Sequence, residues 1–139
     1  MIGRIIQIFG SILDIEFKKN NIPKIYNALY IPEENIYLEV QQQIGNNIVR
    51  TIAFGNTNGL KRNLIVFDTK KPILTPVGNS TLGRILNVLG FPIDNKGIID
   101  TNLKKPIHSN PPKFSDQKFN NNILETGIKV IDLLCPFLK

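Results

Sequence analysis

The side chains in this sequence that could carry chemistry stand apart from one another. His108 is the one histidine and Cys135 the one cysteine. A metal centre or a general base needs converging partners, and neither residue has a second histidine or cysteine near it in sequence. His108, within Pro106-Ile107-His108-Ser109-Asn110-Pro111-Pro112, is therefore read as a surface or packing residue. Cys135, at the end of an apolar segment beside Pro136, is expected to be a small buried hydrophobe rather than a reactive thiol. Asp14 and Glu16 alternate along one extended stretch and could imitate a carboxylate pair for acid–base work, but outward strand positions predict solvated charges. Gly78, Gly83 and Gly90 are too widely spaced to cradle a phosphate and fit turns and close packing instead. Arg84 either touches another chain or faces solvent. No catalytic, cofactor-binding or metal-ligating residue is assigned.

The elements that would position such residues begin with composition. The chain has 139 residues, of which 42% are hydrophobic, enough for one core or for a small domain plus a piece of another. No window approaches the run of roughly eighteen apolar residues that crosses a bilayer. Met1-Ile2-Gly3-Arg4 leads into strand pattern rather than a signal peptide, so a soluble, cytoplasmic chain is expected. A single thiol fits a reducing compartment. The net charge of +6 is a possible nucleic-acid signal. However, Lys18-Lys19, Lys61-Arg62, Lys70-Lys71 and Lys104-Lys105 are scattered pairs and fit solvated faces. The abundance of Asn, Ile and Lys fits a coding bias that raises the isoelectric point without a selected function.

Hydrophobic period divides the chain. Residues 4–9 and 12–17 flank Gly10-Ser11 as a hairpin, with Leu13, Ile15 and Phe17 inward and Asp14 and Glu16 outward. Further strand-like runs lie at 28–31, 36–43, 48–54 and 64–68, separated by turn chemistry such as Gly45-Asn46-Asn47 and Asn58-Gly59. Short, regularly spaced strands without an intervening helix predict a mainly β fold, a small closed six-stranded β-barrel that leaves no sheet edge exposed. Pro72 and Pro76 break the pattern, which places a domain boundary between 1–74 and 75–139. Beyond it, Asn79 or Ser80 is expected to cap a helix carrying Leu82, Ile85, Leu86 and Leu89 and ending at Gly90. A last helix is expected over about 126–134, capped by Thr126, with Ile128, Val130, Ile131, Leu133 and Leu134 forming a wide apolar arc and Pro136 ending it. Such an arc needs a large partner surface, so the second domain reads as incomplete.

Leu124-Glu125-Thr126-Gly127-Ile128-Lys129-Val130-Ile131-Asp132 resembles the L-x-T-G-I-K-x-I-D element shared by catalytic and non-catalytic subunits of rotary ATP synthases. Glu39-Val40-Gln41-Gln42-Gln43-Ile44-Gly45 and Val49-Arg50-Thr51-Ile52-Ala53-Phe54-Gly55 resemble the beta-subunit version of the fifth-strand region. Leu82-Gly83-Arg84-Ile85-Leu86-Asn87-Val88-Leu89-Gly90 with Pro92-Ile93-Asp94 resembles the opening of the nucleotide-binding domain. Leu133-Leu134-Cys135-Pro136-Phe137 again favours beta over alpha. The likeness runs in order along essentially the whole chain.

The resemblance implies an N-terminal barrel that joins its neighbours in an alternating alpha–beta ring around a central-stalk gamma subunit. Residues from about Thr75 would then begin a RecA-like α/β nucleotide-binding domain. ATP or ADP with Mg2+ would bind in the intact subunit. The family's G-x-x-x-x-G-K-T loop, water-positioning glutamate, magnesium-linked aspartate and adenine-packing aromatics are all expected beyond Lys139, so the chain alone is expected to bind no nucleotide and to be inactive. Membrane contact would be indirect, at the cytoplasmic face of the inner membrane through the assembled head. The sequence departs from the family pattern at Asn58, where an aspartate is usual, and at Asn63, where a glycine is usual; asparagine tolerates left-handed backbone, so both turns are expected to survive. The alternative is a free-standing basic barrel that binds single-stranded nucleic acid or caps an assembly, with Phe9, Phe17, Tyr26, Tyr30, Tyr37, Phe54 and Phe67 as its aromatics. An alpha subunit or a vacuolar-type relative is a further alternative, opposed by Gln41-Gln42-Gln43 and Val49-Arg50-Thr51.

Overall fold

The computed structural model describes residues 1–19, 21–117 and 122–138. These form two compact units, Met1–Ser109 and Asn110–Lys139.

Alternation of apolar and polar residues drives the first unit. Six antiparallel strands, β1 (Ile2–Phe9), β2 (Ile12–Phe17), β3 (Asn27–Ile31), β4 (Ile36–Gly45), β5 (Ile48–Phe54) and β6 (Ile65–Pro72), close in the order β1-β2-β5-β4-β3-β6. The expected six-stranded closed barrel is thus the observed fold. Every second residue points inward: Ile5, Leu13, Ile15, Leu29, Ile31, Leu38, Val40, Val49 and Val66 have no solvent exposure. Closure satisfies the ladder groups that an open sheet would leave bare. Thr51 is the polar member of this interior, and its Oγ1 donates to the Leu13 carbonyl at 3.0 Å, so no buried donor is wasted.

Curvature comes from irregularities. Register shifts between Ile5 and Gln7 on β1, and twice along β4, insert extra residues and bend those strands. The β4–β5 turn uses three consecutive left-handed residues, Gly45, Asn46 and Asn47, at φ 108°, 51° and 63°. Asn63 has φ 68°, so its turn survives without glycine; near Asn58, the left-handed position is Gly59 at φ 89°. At Gly3 an added Cβ would lie 2.8 Å from the Phe17 ring and 2.9 Å from Ile15 Cγ2, so the interior has no room for a side chain there. Four strands outrun their sequence bounds. β1 starts at Ile2, β3 starts at Asn27, β4 reaches Gly45 and β6 reaches Pro72, because ladder pairing such as Asn27 with Pro72 extends past the alternating core.

The rest of the first unit departs from expectation. β7 (Leu74–Pro76) pairs with β8 (Lys104–Pro106), and no α-helix forms between them. The helix expected to end at Gly90 is replaced by a single 3-10 turn, Asn79–Thr81, followed by loops. Gly83 at φ 69° and Gly90 at φ 78° lie outside helical space. The i, i+3, i+4 apolar spacing is real, but two left-handed glycines interrupt it, and Leu86 instead bridges to Pro92.

In the second unit, β9 (Ile123–Leu124) pairs with β10 (Phe137–Leu138) around α1 (Lys129–Leu134), after a 3-10 turn at Phe114–Asp116. The helix starts three residues later than expected and Ile128, not Thr126, occupies its N-cap. Thr126 is otherwise engaged. Its amide and hydroxyl both donate to Asp132 Oδ1, and Gly127 N donates to Oδ2 at 3.0 Å. These bonds and their N–H dipoles hold the Asp132 carboxyl below its ordinary range, the Thr126 hydroxyl contributing most. The apolar arc is present but uncovered, with Leu133 83% and Leu134 77% exposed. Cys135 is likewise exposed rather than buried.

Candidate assembly surface

Directly opposed residues of an antiparallel pair project from the same side of a sheet, so the barrel's register defines what its outside offers. Outward Ile2 on β1 faces Phe67 on β6, and Phe67 faces Tyr30 on β3. Tyr30 faces Tyr37 on β4, and Tyr37 faces Phe54 on β5. Two residues back on β5, Ile52 faces Ile12 on β2, which faces Phe9 on β1. Eight apolar or aromatic side chains therefore form one continuous outer band across all six strands. It leaves β1 at Ile2 and returns at Phe9, the stagger that tilted strands of a closed barrel require. Its two ends are its most open points, Ile2 at 54% and Phe9 at 57%. Tyr30 and Tyr37 pack ring on ring with centroids 4.8 Å apart, and Tyr30 Oη donates to Asn35 Oδ1 at 2.9 Å.

Polar groups on the same outer face are locked down. Asp14 accepts from Arg50 Nε and Nη2, both at 2.8 Å, a bidentate pair across β2 and β5. Sequence alternation placed Asp14 outward and solvated. It does point outward, yet it is 3% exposed because the Arg50 guanidinium lies over it. Glu16 stays exposed. The hydrogen bond from Arg50, reinforced by the Asp14 charge, raises the guanidinium's pKa further.

Glu39 is the residue that sequence reasoning passed over. On the outer side of β4 it is 2% exposed and accepts from Gln41 Nε2. His108 Nε2 lies 3.0 and 3.1 Å from its two oxygens, and Tyr26 stacks on the imidazole at 4.1 Å. His108 is therefore a packing residue, as expected, and one with a specific role, since it caps a buried carboxylate 69 positions earlier. The available signal was a glutamate flanked by Leu38 and Val40.

Arg84 is not on a freely solvated face. Its Nε lies 2.6 Å from Asp94 Oδ2 and its Nη2 lies 3.1 Å from Oδ1, while Nη2 also donates to the Gly97 carbonyl. Asp94 further accepts from Ile85 N and Lys96 N, so the pair knits the loop from Arg84 to Gly97. The Arg84 hydrogen bond, assisted by these amides, holds the Asp94 carboxyl far below the usual carboxylate range.

Gly78, Gly83 and Gly90 occupy separate left-handed turns, as expected of turn glycines. At Gly90 a Cβ would strike Pro76 Cδ and approach Thr75, so that glycine also allows a close approach. The Gly90 amide is already bonded to the Asn87 carbonyl. Among the described residues no three His, Cys, Asp or Glu side chains gather as metal ligands.

What remains is a closed barrel with an apolar outer band. Residues 5–70 match the ATP synthase alpha/beta family, beta-barrel domain. The matched span takes in β2 to β5 whole, most of β1 and β6, and every residue of the band except Ile2. The matched domain and the observed closed barrel agree in fold. Among the described residues, no helix is long and apolar enough to cross a membrane.

Proposed function

We propose that this chain is part of the catalytic beta subunit of the F-type proton-translocating ATP synthase and supplies its ring-forming barrel. The supporting observation is the outer band on a barrel of the ATP synthase alpha/beta family. A closed barrel has no strand edge to offer, so it joins neighbours only through side chains. A band of Ile2, Phe67, Tyr30, Tyr37, Phe54, Ile52, Ile12 and Phe9 gives each flank of the barrel an apolar contact. Alpha subunits are the neighbours, alternating with beta around the gamma stalk. The segments that favour beta over alpha also carry structural contacts: Gln41 binds Glu39, Gln43 Nε2 donates to the Pro23 carbonyl, and Arg50 pairs with Asp14.

In the intact subunit, ADP, phosphate and Mg2+ meet at a phosphate-binding loop outside these 139 residues, and stalk rotation cycles the site through different affinities so that ATP is released. Residues 1–74 are the barrel domain and 75–139 the opening of the nucleotide-binding domain. The chain itself binds neither nucleotide nor nucleic acid, and the head it joins sits peripherally on the cytoplasmic face of the inner membrane.

Co-purification with the alpha subunit tests this reading. The wild-type chain is retained on immobilised alpha subunit, and the Phe9→Asp/Phe67→Asp variant, folded by circular dichroism, loses about tenfold or more of that retention. Equal retention of both would refute it. The second reading, a basic barrel for single strands, predicts instead a salt-sensitive oligonucleotide shift that the alpha-subunit experiment would not affect. Calorimetry with magnesium-ATP is expected to show no saturable heat from the chain alone.

A further inference from the structure

Within the first unit, a cleft of about 420 Å3 opens between the outer side of β3 and β6 and the β7–β8 hairpin. Its size falls in the range of small-molecule sites. Its floor is apolar and buried, made by Ala28 and Ile73, each 4% exposed. Half-buried Leu89 and Ile99 form a wall. Two lysines also line it. Lys104 lies opposite Pro76 across the β7–β8 ladder, with its side chain on the cleft side, and Lys71 comes from the end of β6. Thr75 and Lys105, one step along the same ladder, are the alternate pair, and Lys105 does not line the cleft.

The polar atoms around this cavity differ in one respect. Thr69 Oγ1 already donates to the Ala28 carbonyl and Thr101 Oγ1 to the Val77 carbonyl. Lys71 and Lys104 have no carboxylate partner among the described residues, where the ion pairs are Arg50–Asp14, Arg84–Asp94 and His108–Glu39. An apolar chamber also lined by two lysines without a carboxylate partner among the described residues complements one chemistry: an aliphatic or aromatic body carrying a single carboxylate. We propose that this cleft is a binding site for a small amphipathic carboxylate, its apolar body against Ala28, Ile73 and Leu89 and its anion between Lys71 and Lys104. The site touches the outer band at Tyr37 alone, and the inference does not depend on which ATP synthase subunit the chain represents.

Octanoate is the probe and 1-octanol its neutral counterpart. Titrated into the isotope-labelled 139-residue chain, octanoate is expected to shift amide resonances of Ala28, Ile73 and Leu89 saturably, with 1-octanol binding more weakly. The Lys71→Gln/Lys104→Gln variant should bind octanoate about fivefold more weakly, as two exposed charge contacts allow. Lys18→Gln/Lys19→Gln, which removes the same charge elsewhere, should leave affinity unchanged. The proposal is overturned if shifts do not localise to the cleft, if octanoate and 1-octanol bind equally, or if both double variants lose affinity alike. It is also overturned if sedimentation shows a second copy of the chain filling the cleft, seen as a dimer that Ile99→Asp converts to monomer.

Discussion

The barrel and the second unit, Asn110–Lys139, use similar apolar residues to opposite effect. In the barrel, Leu38 and its neighbours are fully enclosed; in the second unit, Leu133 and Leu134 lie open. The difference is closure. Six strands whose ladder returns on itself create an inside, so every alternate residue is buried by its neighbours' backbone as well as by their side chains. A six-residue helix flanked by a two-residue hairpin has no inside, and its apolar arc stays uncovered within its unit. Hydrophobic patterning specifies which face an element should bury, but topology decides whether there is somewhere to bury it.

The largest effect that would sharpen this contrast is a matched pair of truncations. Leu38→Ala should cost about 2–5 kcal/mol in urea unfolding, while Leu133→Ala should stay within about 0.5 kcal/mol. Equal costs would mean the second unit is as well packed as the first. Next comes overpacking: Gly3→Ala forces a methyl against Phe17 and Ile15 and should destabilise the barrel by about 1–3 kcal/mol, read as a lower urea midpoint at constant slope.

The smallest effects are electrostatic and belong outside the barrel. Asp94 and Asp132 are both held below the ordinary carboxylate range. A depressed folded-state pKa stabilises above the unfolded value, and that stabilisation is lost only as pH falls through the depressed one. The Arg84–Gly97 loop and the Thr126–Asp132 turn should therefore keep their amide shifts from neutral pH down to about pH 4, the unfolded carboxylate value, and lose them under stronger acid. Asp94→Asn should remove the acid step of the first loop and leave that of the second. Loss of either loop's shifts above about pH 5 in the wild-type chain would contradict the hydrogen bonding described.

Much of the barrel was legible before any coordinates because its cause is local. Leu13, Ile15 and Phe17 alternate with Asp14 and Glu16, and Gly45-Asn46-Asn47 admits the left-handed turn whatever surrounds it. The outer band was only partly legible: its aromatics were visible, but their alignment into one row depends on a register that bulges shift. The absent helix before Gly90 failed for the opposite reason. Its apolar spacing satisfied the helical period, while the turns at Gly83 and Gly90 and the Arg84–Asp94 pair favoured a loop.

By itself, then, the sequence determined the strands, the turns and the likeness to rotary ATP synthase subunits, since these rest on neighbours a few residues apart, while the closure it predicted is completed by distant pairings such as Gly3 with Val66. Tertiary structure alone decided that Asp14 is shielded by Arg50, that His108 caps Glu39, and that Lys71 and Lys104 share one cleft. Each of those pairings joins residues at least thirty positions apart, where no local period carries information and only the folded backbone sets which charges meet.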